Sequence, residues 1–125
     1  MVVFSNQRLG ASAELLVSDD VAIEMLKATA SHARPFATAR WERELVDWLE
    51  LRAGTDPRLP SLDVSEIAWT PDHFDTQRRF LLEAIERAAE GSEHGLAFDR
   101  WRRLIEAHPR ESVQFGRRWR WPLNN

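Results

Sequence analysis

The segment from Thr70 to Gly91 constrains the fold of this chain more than any other. Thr70 is a helix N-cap residue, Pro71 suits the first helical position, Asp72 complements the positive end of the dipole, and Gly91 is a stop signal. At about 100° per residue, Phe74, Phe80, Leu81, Leu82, Ala84, Ile85, Ala88 and Ala89 gather into an apolar arc close to half the circumference. A helix resting on a surface carries a narrower stripe, so this one is expected at the centre of the fold. Asp75→Arg79 and Glu83→Arg87 are i,i+4 pairs in the favourable order, each worth ~0.2–0.5 kcal/mol.

Three more helices follow from the same reasoning. The first is expected from about Asp19 to Ser31, with Ser18 as N-cap, Asp19 and Asp20 in the first turn, and Pro35 preventing extension. The second is expected from about Ala39 to Ala53 and ends at Gly54. Its apolar stripe is read as Trp41, Leu45, Trp48, Leu49 and Leu51, with Arg40, Arg43, Glu44, Asp47 and Glu50 opposite. The last is expected from about Leu96 to Ala107, with Phe98, Trp101, Leu104 and Ile105 inward and Arg100, Arg102 and Arg103 away. Between the second and third helices, two prolines and a glycine make Gly54–Ser61 a loop.

After Pro109 the period changes to two. Val113, Phe115, Trp119 and Trp121 fall on one side, and Gln114, Gly116, Arg118 and Arg120 on the other, so one strand at about 112–121, with Arg117 as its exception, sorts these residues better than a hairpin turning at Gly116-Arg117. A lone strand needs a partner, for which Val2–Phe4, Leu15–Val17 and Val64–Trp69 are the candidates. The expected architecture is α+β and mainly helical: about four helices with a small sheet that includes the C-terminal strand. A length of 125 residues places it in one domain, 1–125.

Composition removes whole classes of chemistry. Cysteine is absent, which excludes disulfides, thiolate nucleophiles and Cys-type zinc sites within this sequence. Sixteen of the 17 basic residues are arginine, leaving Lys27 as the one candidate for lysine chemistry. His32, His73, His94 and His108 form no HExxH pair, and no glutamate precedes a histidine by three positions. His108 ends the apolar stripe of the last helix and is read as a capping and packing histidine whose protonated form the dipole favours, with a catalytic base or metal ligand as the alternative. The five glycines are too dispersed for a P-loop or a dinucleotide fingerprint, and no Gly-x-Ser-x-Gly elbow occurs. No metal and no cofactor is therefore expected. No apolar run approaches the ~18 residues of a membrane span, and the N-terminus lacks a secretory pattern, so the expected location is the cytoplasm, away from membrane.

Two groups of residues are candidates for binding. Gln77 and Arg78 interrupt the apolar arc of the central helix. Arg78 must extend to solvent, meet a carboxylate, or line a cleft with Gln77 that greets an anion, because an unpaired buried guanidinium is prohibitive. The second group is basic. Residues 1–98 hold 10 basic and 17 acidic groups, whereas 99–125 hold 7 basic and 3 acidic. Arg102 and Arg103, with Arg100, precede Arg117, Arg118, Trp119, Arg120 and Trp121. Interleaved arginine and tryptophan suits phosphate clamping and base stacking, while the same indoles on the side of Val113 and Phe115 suit a core strand with solvated arginines. With no catalytic motif declared, the reading is a small non-enzymatic protein-interaction module, inhibitor, antitoxin or adaptor-like, whose partner is another protein. The alternative is a nucleic-acid-binding domain using the basic C-terminal segment, and an enzyme with an unmotifed cleft is the third class.

Overall fold

The strand β1 (Val2–Ser5) forms the middle of a three-stranded mixed sheet in a computed structural model that describes residues 1–9, 14–54 and 61–109. β2 (Glu14–Val17) runs antiparallel to it, pairing Val2 with Val17 and Ser5 with Glu14. β3 (Ser61–Asp63) runs parallel on the other side, pairing Val3 with Ser61 and Ser5 with Asp63. Along β2 the side chains alternate as a one-sided sheet demands: Leu15 and Val17 are buried, Glu14 and Leu16 exposed.

Two of the three expected pairing segments thus enter the sheet. Val64–Trp69 does not, because the chain turns immediately after Asp63. The Asp63 carboxylate accepts the Ser65 amide proton at 3.0 Å, while the Glu66 carboxylate accepts from the Asp63 amide at 2.8 Å. This reciprocal capping box drives Val64–Glu66 into a single 3₁₀ turn. The strand expected at about 112–121, with Trp119 and Trp121, lies outside the described residues.

Four α-helices complete the described fold, which is mainly helical: α1 (Asp19–Ala33), α2 (Arg40–Gly54), α3 (Phe74–Glu90) and α4 (Gly95–Glu106). Ser18 caps α1 by accepting from the Val21 amide at 3.3 Å. Pro35 ends it as expected, although the helix continues two residues past Ser31. α3 starts at Phe74 rather than Pro71. Residues 71–73 form a turn closed by the His73 amide on the Thr70 carbonyl, and the Gln77 side chain holds the preceding segment by accepting from Thr70 N and donating to the Ala68 carbonyl. None of these helices is long and apolar enough to cross a membrane.

The core lies where α1, α3 and α4 meet the inner face of the sheet. Phe4 and Trp101 make an edge-to-face contact at 5.2 Å, with Met25, Leu81, Ile85 and Ile105 fully enclosed nearby in one cluster. Each such side chain contributes about 1.5–3 kcal/mol by leaving water. Phe98, Trp101, Leu104 and Ile105 of α4 are all buried, as its stripe required.

The inward face of α2 differs from expectation. It carries Leu45, Val46, Leu49 and Ala53, whereas Leu51 is 70% exposed and Trp41 and Trp48 are only half-buried. The helix is rotated by about 90° from the expected stripe, toward Val46 and Ala53. Small residues at these positions let α2 approach α1 closely, and the two bulky indoles are left along the rim.

Candidate binding surface

The helix α3 presents an acidic ridge beside a groove. Glu83, Glu86 and Glu90 stand at i, i+3 and i+7 and therefore share one face, and none has an ion-pair partner among the described residues. The expected Glu83→Arg87 and Asp75→Arg79 pairs do not form. The Arg87 guanidinium instead donates to the His32 carbonyl at 3.3 Å and lies 4.4 Å over the Phe36 ring, while Arg78 is the cation beside Asp75, at 3.6 Å. Tertiary contacts of this kind outweigh a helical pair worth a few tenths of a kcal/mol.

Next to the ridge, α3 and α4 enclose an open groove of ≈ 290 Å³. Ile85, Ala89 and Phe98 form its apolar lining, with Glu86 and Glu90 from α3 and Asp99 and Arg102 from α4 supplying the charge. Arg102 donates to Asp99 at 2.8 Å and also pairs with Glu106, and Arg103 reaches Asp99 at 3.1 Å. The Asp99 pKa is lowered from the usual carboxylate range, first by the Arg102 hydrogen bond. Arg102 and Arg103 are therefore engaged on α4, Arg102 also feels the Glu86 carboxylate, and the three carboxylates of the groove outnumber its one arginine.

Gln77 and Arg78 make separate contacts. Gln77 is buried, with both ends of its amide used on Ala68 and Thr70. Arg78 is half-buried, 5.1 Å over the Phe74 ring, and donates to the carbonyls of Glu106 at 3.2 Å and His108 at 3.4 Å. Its Nη1 thus ties α3 to the carbonyl end of α4, while Nη2 faces Asp75. Arg102 and Arg103 share one carboxylate on α4. Arg117, Arg118, Trp119, Arg120 and Trp121 lie outside the described residues.

A second depression, a cleft of ≈ 80 Å³, lies where α2 faces the segment after β3. Trp41, Leu45 and Trp48 line it from α2, Ile67 and Ala68 from the facing segment, and Gln77 from α3, with the carboxylates of Glu44 and Glu66 added to these walls. Reading Trp41 and Trp48 as core residues hides this site. The signal that betrays it is Glu44, which the expected stripe set on the opposite face but which stands three residues after Trp41 and four before Trp48, on the side of both indoles.

A third cluster is buried and polar. The Asp63 carboxylate accepts from Ser5 Oγ at 2.8 Å, from the Gln7 amide at 2.9 Å, and from both the amide and the hydroxyl of Ser65. Burial alone would raise its pKa, but these hydrogen bonds outweigh it and hold the carboxyl below its ordinary value. Asn6, fully enclosed, donates to the Leu104 carbonyl at 2.9 Å and turns its oxygen toward His108 Nδ1 at 3.3 Å. His108 is itself only 2% exposed, and burial lowers its pKa. His108 thus packs as expected, but its pKa moves against the direction the helix dipole favours, because desolvation outweighs the dipole here. Among the described residues no group of three or more His, Asp or Glu side chains converges as a metal site. No protein-family model, curated protein or solved structure matches this chain.

Proposed function

We propose that this protein is a non-enzymatic interaction module, of the inhibitor, antitoxin or adaptor kind, that takes a basic segment of another protein on the α3 ridge and in the α3–α4 groove. The observation that carries this reading is the row Glu83, Glu86 and Glu90, none of which has an ion pair within 4 Å among the described residues, running beside a groove lined by Ile85, Ala89 and Phe98. Unbalanced acidic charge draws in a cationic partner and raises the encounter rate. The apolar lining then supplies the desolvated pocket in which an anchor side chain is held. Charge without the groove would give steering alone, and a groove without charge would give no preference for a basic partner.

The reading is tested with a model amphipathic helix of leucine and lysine at helical spacing, labelled for fluorescence anisotropy and titrated across a salt series. Wild-type protein is expected to bind it with an affinity that falls as salt rises. The triple variant Glu83→Gln, Glu86→Gln, Glu90→Gln, exposed throughout and therefore folded, is expected to lose about ten-fold in association rate. Equal rates for the two proteins would reject the ridge. Binding of oligonucleotides with a negative log-salt slope in the same assay would favour the basic-segment reading, in which Arg100, Arg102, Arg103, Arg117, Arg118 and Arg120 contact phosphate.

A further inference from the structure

We infer that the cleft between α2 and the 66–68 segment is a subsite for an arginine side chain presented by another polypeptide. The inference does not depend on the α3–α4 groove, which lies on other elements.

Size is the first constraint. At ≈ 80 Å³ the cleft is several-fold smaller than the ~300–1,000 Å³ sites that hold drug-sized molecules, so its occupant is the head of one side chain. Its walls select the chemistry of that head. Two indoles, Trp41 and Trp48, line it, and Trp41 is braced by edge-to-face contacts with Phe80 at 5.9 Å and His73 at 5.7 Å. Two carboxylates, Glu44 and Glu66, add negative charge. Aromatic walls with carboxylates favour a cation over a neutral apolar group. A planar guanidinium both stacks on indole and forks onto a carboxylate, which an ammonium does less well. The protein already uses guanidinium-on-ring contacts twice, Arg87 on Phe36 and Arg78 on Phe74.

The two carboxylates are not equally available. Glu66 is committed to the Asp63 amide at 2.8 Å and faces Arg52 at 3.5 Å. Glu44 has one partner, Arg40, held at 3.0 Å by an i,i+4 pair in which the Arg40 side chain is 88% exposed. Such a pair is weak and exchanges readily. An incoming guanidinium therefore stacks between the indoles and takes the Glu44 carboxylate from Arg40.

That exchange gives an asymmetric test. The indole N–H resonances of Trp41 and Trp48 are followed by NMR while N-acetyl-arginine amide is added, with N-acetyl-citrulline amide as the uncharged isostere and free arginine as the third arm. The expected result is a saturable shift of both resonances with the capped arginine, at millimolar affinity, and none with citrulline. Glu44→Gln is expected to weaken binding about 2- to 5-fold, and Trp48→Leu to do the same. Arg40→Ala, which removes the competitor, is expected to tighten it about 2-fold. Identical responses to arginine and citrulline, or weaker binding in Arg40→Ala, overturn the inference. Tighter binding of free than of capped arginine overturns its assignment to a polypeptide ligand. Glu44 and Arg40 are exposed, so these variants report on the cleft and not on folding.

Discussion

The His108 imidazole lies stacked on the Trp69 indole, with ring centroids 5.4 Å apart and planes 30° from parallel, and the Phe74 ring, 6.0 Å from the imidazole and 5.0 Å from the indole, closes a triangle of three rings. The Trp69 indole is held in turn by its Nε1–H donating to the Val64 carbonyl at 2.9 Å. Through this stack the end of α4 is joined to the turn that follows β3 and to the first turn of α3. The junction is closed by Asn6 from the end of β1.

A titratable group placed there makes stability depend on pH. Burial lowers the His108 pKa, Arg8 and Arg78 push in the same direction, and Asp63 opposes them. The unfolded chain therefore takes up the proton first. Stability is expected to be full above the unfolded histidine value of about 6.5 and to fall as pH drops from there to the folded value. Asp63, whose folded pKa is lowered, adds a second loss below about pH 4, where its hydrogen-bonded carboxylate is protonated. Urea unfolding across a pH series would show two descending limbs. His108→Asn is expected to flatten the upper limb alone, and a limb that persists in that variant would assign it to another group.

Arg78 offers a test of the clamp between α3 and α4. Removing the donor in Arg78→Met is expected to lose both carbonyl contacts of Nη1, at a cost of about 0.5–1.5 kcal/mol. Hydrogen exchange would localise the effect. Amides near the C-terminal end of α4 should exchange faster while those of α2 stay as they are. Uniform acceleration across all helices would show that the contact stabilises the whole fold and not that junction.

The rotation of α2 makes a sharp contrast between two leucines two positions apart. Leu49→Ala is expected to cost about 2–5 kcal/mol, since its side chain is fully enclosed and leaves a cavity. Leu51→Gln should stay within about 0.5 kcal/mol of wild type, its side chain being 70% exposed. Thermal or chemical denaturation of both variants checks this, and a large loss in Leu51→Gln would restore the stripe expected from periodicity.

Local chemistry made much of this protein legible in its residues alone. The Ser18 cap, the Gly91 stop, the buried stripe of α4 and the wide arc of α3 all depend on neighbours within one or two turns, which periodicity and capping rules describe directly. The acidic row of the candidate surface was also present in the spacing of Glu83, Glu86 and Glu90. Tertiary structure decided what those rules could not reach. Whether Leu51 or Val46 faces inward depends on the shape of α1 opposite. Whether Arg87 neutralises Glu83 depends on a carbonyl 55 positions away at His32. The place of β3 beside β1 depends on closing a long loop, and the lowered pKa of His108 on the rings that enclose it. Contacts distant in sequence are individually as strong as the local ones they displace, and no periodicity in the chain encodes them.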